Sequence, residues 1–182
     1  MQSSIHIFTF KAGLLARVAH DLRLRVGKHA FTLEAGKVRG HCDSDSLEVE
    51  GVMTSRGLDS SVLSAGDKRQ ITETIRSEIL QSARYPRVEL EAEVSSVDSS
   101  TFDVRGVLHV RGHAQPLHVQ LTQHADVLSG AFELTPSQFG IAPYKALVGA
   151  IKLQDRVRVR VEITLTGQDA ARLLASPDTL QL

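Results

Sequence analysis

The residues best equipped for chemistry are three histidines, His109, His113 and His118, gathered around one Gly- and Pro-marked connection between FDVRGVLHVR and LHVQLT. Close imidazoles can hold a metal or sense pH. The expected register of that hairpin sets Val110 opposite Leu117 and Leu108 opposite Val119. This makes His109 and His118 cross-strand neighbours on the wet face. Two ligands fall short of the three or four that a metal site needs. The plainer reading is a pair of solvated side chains, and no metal is expected. His20-Asp21 follows the apolar approach Leu14 to Ala19 and precedes a strand. A buried imidazole there, held by Asp21 or by a backbone carbonyl, could face the head group of a ligand; the plainer reading is a structural histidine at a bend. Glu89, Glu91 and Glu93 resemble a carboxylate cluster, but they alternate with Val88, Leu90, Ala92 and Val94. They belong on a wet face, paired with arginines of the neighbouring strand. The single Cys42 excludes an intrachain disulfide and a Cys-based zinc cluster. No Gly-rich phosphate loop, G-x-S-x-G or H-E-x-x-H occurs, so no catalytic residue and no cofactor is assigned.

The elements that would position these side chains read as strands. Phe102, Val104, Leu108 and Val110 alternate with Asp103, Arg105, His109 and Arg111, and Leu117, Val119 and Leu121 alternate with His118, Gln120 and Thr122. Period two means one dry face and one wet face. Gly112 and Pro116 bracket the turn. The same alternation marks Ile5 to Phe10, Leu22 to Val26, Phe31 and Leu33, Leu47 to Gly51, Arg87 to Val94, Gly130 to Leu134, and Val157 to Leu165. A bend is expected near Ala16 to His20, a break of pattern at Gly36 and through GHCDSDS, a loop from Gly57 to Gly66, and a bend at Asp155. The period changes from Asp67 to about Ser82, where Ile71, Ile75 and Ile79 form one stripe of an amphipathic helix, capped by Asp67 or Ser64. It reads as a lid on one end of the sheet. Pro136 to Gly149 is long and irregular, the kind of loop that often carries function. A short helix over Asp169 to Ala175 and a loose tail from Pro177 complete the chain.

Composition bounds the function. The chain has 182 residues, enough for one domain with a real core. It is read as a single domain over 1–182, with a core over about 4–167 and a tail over 168–182. Lys+Arg 21 balances Asp+Glu 21, and aromatics are 4% with no Trp. Neither an electrostatic footprint nor a stacking platform for nucleic acid is present. No run approaches the roughly 20 apolar residues of a spanning helix, so an integral membrane protein is not expected. The N-terminus alternates and has no long apolar h-region. The expectation is a cytoplasmic protein.

Eight or nine strands in short-turn succession should pair antiparallel, with one buried face. Such a sheet packs on another or curls onto itself, and eight strands make a barrel that holds side chains or a small ligand. The aliphatic interior fits either a filled core or a greasy pocket.

Taken together, Ile75-Arg76-Ser77, Tyr85-Pro86, Gly106 to Gly112 with Pro116-Leu117, Phe139-Gly140-Ile141 and Val148-Gly149 resemble the YceI-like family of lipid-binding proteins. The resemblance covers the C-terminal two thirds well and the first fifty residues loosely. It implies an all-β fold, an extended eight-stranded antiparallel lipocalin-like barrel with one amphipathic helix near one end. It also implies a non-enzymatic carrier of an isoprenoid or fatty-acyl type ligand, and a possible homodimer. The family is often periplasmic and carries a leader, from which this sequence departs. The expected lining is Val104, Leu108, Val119, Leu121, Val159, Val161 and Ile163, with Phe139, Ile141 and Tyr144 at the mouth and His20 toward the head group. The alternatives are an enzyme acting on such a ligand, with His20 and Asp21 as its polar pair, and an interaction protein with a filled barrel.

Overall fold

The computed structural model describes residues 2–12, 20–146 and 151–166. The expected bend over Ala16 to Ala19, the Val148-Gly149 motif, the helix over Asp169 to Ala175 and the tail lie outside them. Alternating β-branched and charged residues form the strands β1 (Gln2–Lys11), β2 (Leu22–Val26), β3 (His29–Glu34), β4 (Lys37–Asp43), β5 (Leu47–Thr54), β6 (Gly57–Asp59), β7 (Arg87–Ser96), β8 (Thr101–Val110), β9 (His113–His124), β10 (Val127–Leu134), β11 (Lys145–Ala146) and β12 (Ile151–Thr164). All pairings are antiparallel, in the order β3-β4-β7-β8-β9-β10-β12-β1-β2-β5-β6, with β11 on β12. The first strand thus joins the last, with Ile5 opposite Val161 and Ile7 opposite Val159.

This path of eleven strands corrects the expectation of eight. The sheet curls, but its ladder does not close: β3 and β6 stand at its two ends, leaving an open half-barrel. The additional strands are short or disguised. In β4 the inward phase passes through Val38, Gly40 and Cys42, so GHCD reads as polar. Gly40 is required because a Cβ there would collide with the Phe31 ring lying over it. β6 pairs only Gly57 to Asp59 with β5. The bend expected at Asp155 is instead a bulge inside a continuous β12. Thr9 faces Val157 while Lys11 faces Leu153, so β12 spends two extra residues there.

The central hairpin keeps its faces but not its expected register. Val110 lies opposite His113, Leu108 opposite Gln115 and Val104 opposite Val119. The turn is Arg111-Gly112, with φ of 51° and 76°, the two left-handed residues that a tight hairpin of matching twist demands. Pro116 therefore falls within β9, where the missing amide breaks no ladder because β10 meets β9 only from Thr122 to His124.

The helix α1 (Ala65–Thr74) starts earlier than expected and ends sooner. Ser64 accepts from the Asp67 N–H and the Asp67 carboxylate accepts from the Ser64 N–H, a reciprocal cap. From Ile75 to Ile79 the chain widens into one π-helical turn, marked by the Leu80 N–H donating to the Ile75 carbonyl. No helix among the described residues is long and apolar enough to cross a membrane.

One end of the curled sheet is packed. Phe102 is 0% exposed among Val94, Val104, Val119, Leu121, Leu128 and Leu165. A second group, Ile5, Leu22, Leu24, Val26, Leu47, Val49, Val52 and Val159, receives Ile71, Ile75 and Leu80 from the helical segment.

Candidate functional site

Between these groups the inward faces do not meet, and the sheet encloses a cavity of about 870 Å³. Its walls follow from the period-two rule: each inward phase supplies a stave. β1 gives Ile5, Ile7 and Thr9; β2 gives Leu22, Leu24 and Val26; β8 gives Val104, Leu108 and Val110; β9 gives Leu117, Val119 and Leu121; β12 gives Val157, Val159, Val161 and Ile163. The volume falls in the upper part of the roughly 300–1,000 Å³ range of ligand sites, and the lining is predominantly apolar, aliphatic with Phe31, Phe132, Phe139 and Tyr144 among it.

All eleven residues named from the sequence lie on this lining. Val104, Leu108, Val119, Leu121, Val159 and Phe139 are buried; Ile141, Tyr144, Val161, Ile163 and His20 are half-buried. Phe139 closes a 3-10 turn over Pro136–Phe139, and Gly140 then takes φ of 69° so that the chain reverses beside His113. Ile141 packs with Leu108, Val110 and Leu117 on the inner side of the hairpin.

Several lining residues had no sequence signal as binding residues. Ile71, Ile75 and Ile79 were legible as a stripe but not as a cavity wall, and Phe31 with Val38 and Cys42 was hidden by the break at Gly40. Asp67, Gln70 and Thr74 lie along one flank of the helix and bring the polar edge of the opening. Ala142, Pro143 and Gln154 line it while exposed, so the rim runs from α1 through the 141–144 segment to the ends of β1 and β12.

The polar groups are placed as follows. His20 lines the cavity beside the end of β1, but Asp21 does not hold its ring: the Asp21 Oδ1 accepts from the Lys11 N–H at 2.7 Å. Burial, then the charge of Asp43, pushes the Cys42 thiol up to about 11, so it stays protonated and unreactive on the wall. His109 and His118 are not neighbours. His109 faces Glu89 and Ala114, whereas His118 faces Arg105 and meets Asp103 at 2.9 Å on the outer face. Of the three glutamates, Glu91 approaches Arg39 at 4.0 Å with both side chains exposed, and Glu93 stands opposite Lys37 and Arg105. No group of three metal-capable side chains occurs among the described residues.

Comparison with known proteins places this geometry. The family described as the YceI-like domain matches residues 8–165. Among solved structures, BcnA of Burkholderia cenocepacia is similar with a TM-score of 0.64 at 14% identity, covering 90% of this chain and 96% of that one. A YceI protein of Campylobacter jejuni is similar with a TM-score of 0.51 at 8% identity, covering 79% of this chain and 84% of that one. At such identities the likeness is one of fold. The search of curated proteins returned no match.

Proposed function

Because the chain belongs to the YceI-like family, we propose that it binds and carries a hydrophobic amphiphile, an isoprenoid or other long-chain lipid, and performs no reaction on it. The observation that carries this reading is the mainly apolar cavity of about 870 Å³, open at one rim and packed at the other end by Phe102 and its neighbours. A chain threaded past Val104, Val119 and Val159 needs no polar partner. Burying each CH₂ contributes about 0.8 kcal/mol, so ten of them give about 8 kcal/mol before the cost of association. The polar head belongs at the rim, where His20, Gln154 and Tyr144 lie.

Organic extraction of the freshly purified protein, followed by mass spectrometry, tests this reading. One lipid chain per protein is the expected result. An empty extract, with no uptake after incubation with prenyl and fatty-acyl lipids, would sink it.

A further inference from the structure

Building on the reading of a lipid-binding cavity, we propose that the rim formed by β11, the end of β1 and the start of β12 docks on an anionic lipid bilayer and presents the cavity's mouth to it. The first observation is a like-charge pair. Lys145 and Lys152 stand directly opposite each other in β11 and β12, and both are exposed. Like charges directly opposite weaken a sheet, and this pairing is only two residues long on β11. No carboxylate among the described residues ion-pairs with either ammonium. Several arginines of the outer face are paired, Arg23 with Glu50, Arg25 with Glu48, Arg156 and Arg158 with Glu133; here two ammonium groups with no such partner among the described residues share one cross-strand position.

The second observation is position. Lys11 is the last residue of β1, in phase with the lining residues Ile5, Ile7 and Thr9, and is exposed. The next residue, Ala12, donates its N–H to the Lys152 carbonyl at 2.8 Å, which brings the three lysines to one end of the sheet. The acids of that end are turned to other groups: Asp21 accepts from the Lys11 N–H, and Asp155 accepts from the Ser137 N–H and hydroxyl. Asp67, across the mouth on α1, is engaged by Ser64. At this end Lys11, Lys145 and Lys152 outnumber Asp21 and Asp155, whereas on the helical segment Asp67, Glu73 and Glu78 balance Lys68, Arg69 and Arg76; the excess positive charge of the mouth lies on its strand side.

The third observation is the surface beside the lysines. Ala142 and Pro143 are exposed and Tyr144 is half-buried, all three lining the mouth. Small apolar surface, a tyrosine and flanking lysines suit the headgroup region of a bilayer. Lysines near an anionic leaflet supply attraction that fades within a Debye length, so docking is peripheral and salt-sensitive.

Co-sedimentation of the full chain with phosphatidylcholine vesicles, with and without phosphatidylglycerol, tests this docking. The expected result is binding to the phosphatidylglycerol vesicles alone, lost at high salt and weakened by about thirtyfold or more by Lys145→Glu with Lys152→Glu. The single Lys145→Glu makes the β11–β12 pair attractive and so controls for folding; it should also weaken vesicle binding while lipid uptake from detergent micelles is unchanged. Equal binding to neutral vesicles, no binding, or full binding by the double variant would overturn the proposal. So would saturable binding of inorganic phosphate at the rim without vesicle binding, which would mark a free-anion site. Vesicle docking by a protein whose extract is empty and which takes up no added prenyl or fatty-acyl lipid would support this proposal while removing the carrier reading.

Discussion

Asp103 is the one acid among the described residues that is buried, and it sits on the outer face of β8, away from the cavity. Its Oδ1 meets His118 Nε2 at 2.9 Å, and its Oδ2 accepts from Arg105 Nε at 2.9 Å and from Arg105 Nη2 at 2.7 Å. The hydrogen bond to His118 first, then that to Arg105, lowers its carboxyl from 3.8 to about 2. A depressed carboxylate contributes stability above its unfolded value and loses it as pH falls through the folded one. The contribution is therefore complete above about pH 5 and is lost progressively as pH falls toward about 1. Asp103→Asn should flatten the fall of the urea midpoint over that window while leaving lipid uptake unchanged. An Asn variant that lost stability with acid as steeply as the parent would show that the triad does not set this response. The sequence had pointed to His118 for another reason, as a partner of His109, because a hairpin register shifted by four residues keeps every side chain on its face and is invisible to period two.

At the scale of elements, Arg111 ties the helical segment to the irregular segment. Its Nη1 donates to the Ile79 carbonyl at 3.0 Å and to the Gly140 carbonyl at 3.3 Å, and its guanidinium lies 5.9 Å from the centre of the Tyr85 ring. Ile79, Phe139 and Ile141 line the cavity, so this bridge seals the seam between the π-helical turn after α1 and the mouth. Hydrogen bonds from a charged donor contribute about 1.5–3 kcal/mol. Arg111→Met should speed release of bound lipid several-fold, with a smaller loss in the thermal midpoint; stopped-flow transfer to acceptor vesicles measures it. Release at the parental rate would show that the lipid leaves elsewhere. This latch was not legible from the sequence, because nothing in HVRGHAQP announces an arginine at φ of 51°. Clean alternation gave β7, β8, β9 and β12. It failed at β4, where Gly40 yields to Phe31, and at β12's bulge, where Asp155 turns to Ser137. The lining residues were legible because an inward phase, once located on a strand, names its own side chains. What closes the rim depends on which strands end together, and periodicity does not carry that.

For the whole molecule, the size of the cavity decides how stability and function are coupled. A sealed dry void costs about 24 cal/mol per Å³. Taken over about 870 Å³, that is about 20 kcal/mol, more than the roughly 5–15 kcal/mol by which a domain is stable. The space must be open to water at its rim or occupied by a ligand, and the half-barrel provides the opening. Side chains added to this wall should behave differently from those added to a packed core, where extra methylenes cost about 1–3 kcal/mol. Val157, opposite Leu134 across β12 and β10, lines the cavity and is only half-buried. Val157→Trp should keep the thermal midpoint of the lipid-free protein within a few degrees and abolish the rise in midpoint that added lipid gives the parent. Phe102→Trp, made at the packed end where Phe102 is 0% exposed, supplies the contrast and should destabilise strongly. Equal destabilisation by both would mean that the wall at Val157 is as tightly packed as the plug at Phe102, leaving no space for a chain between them.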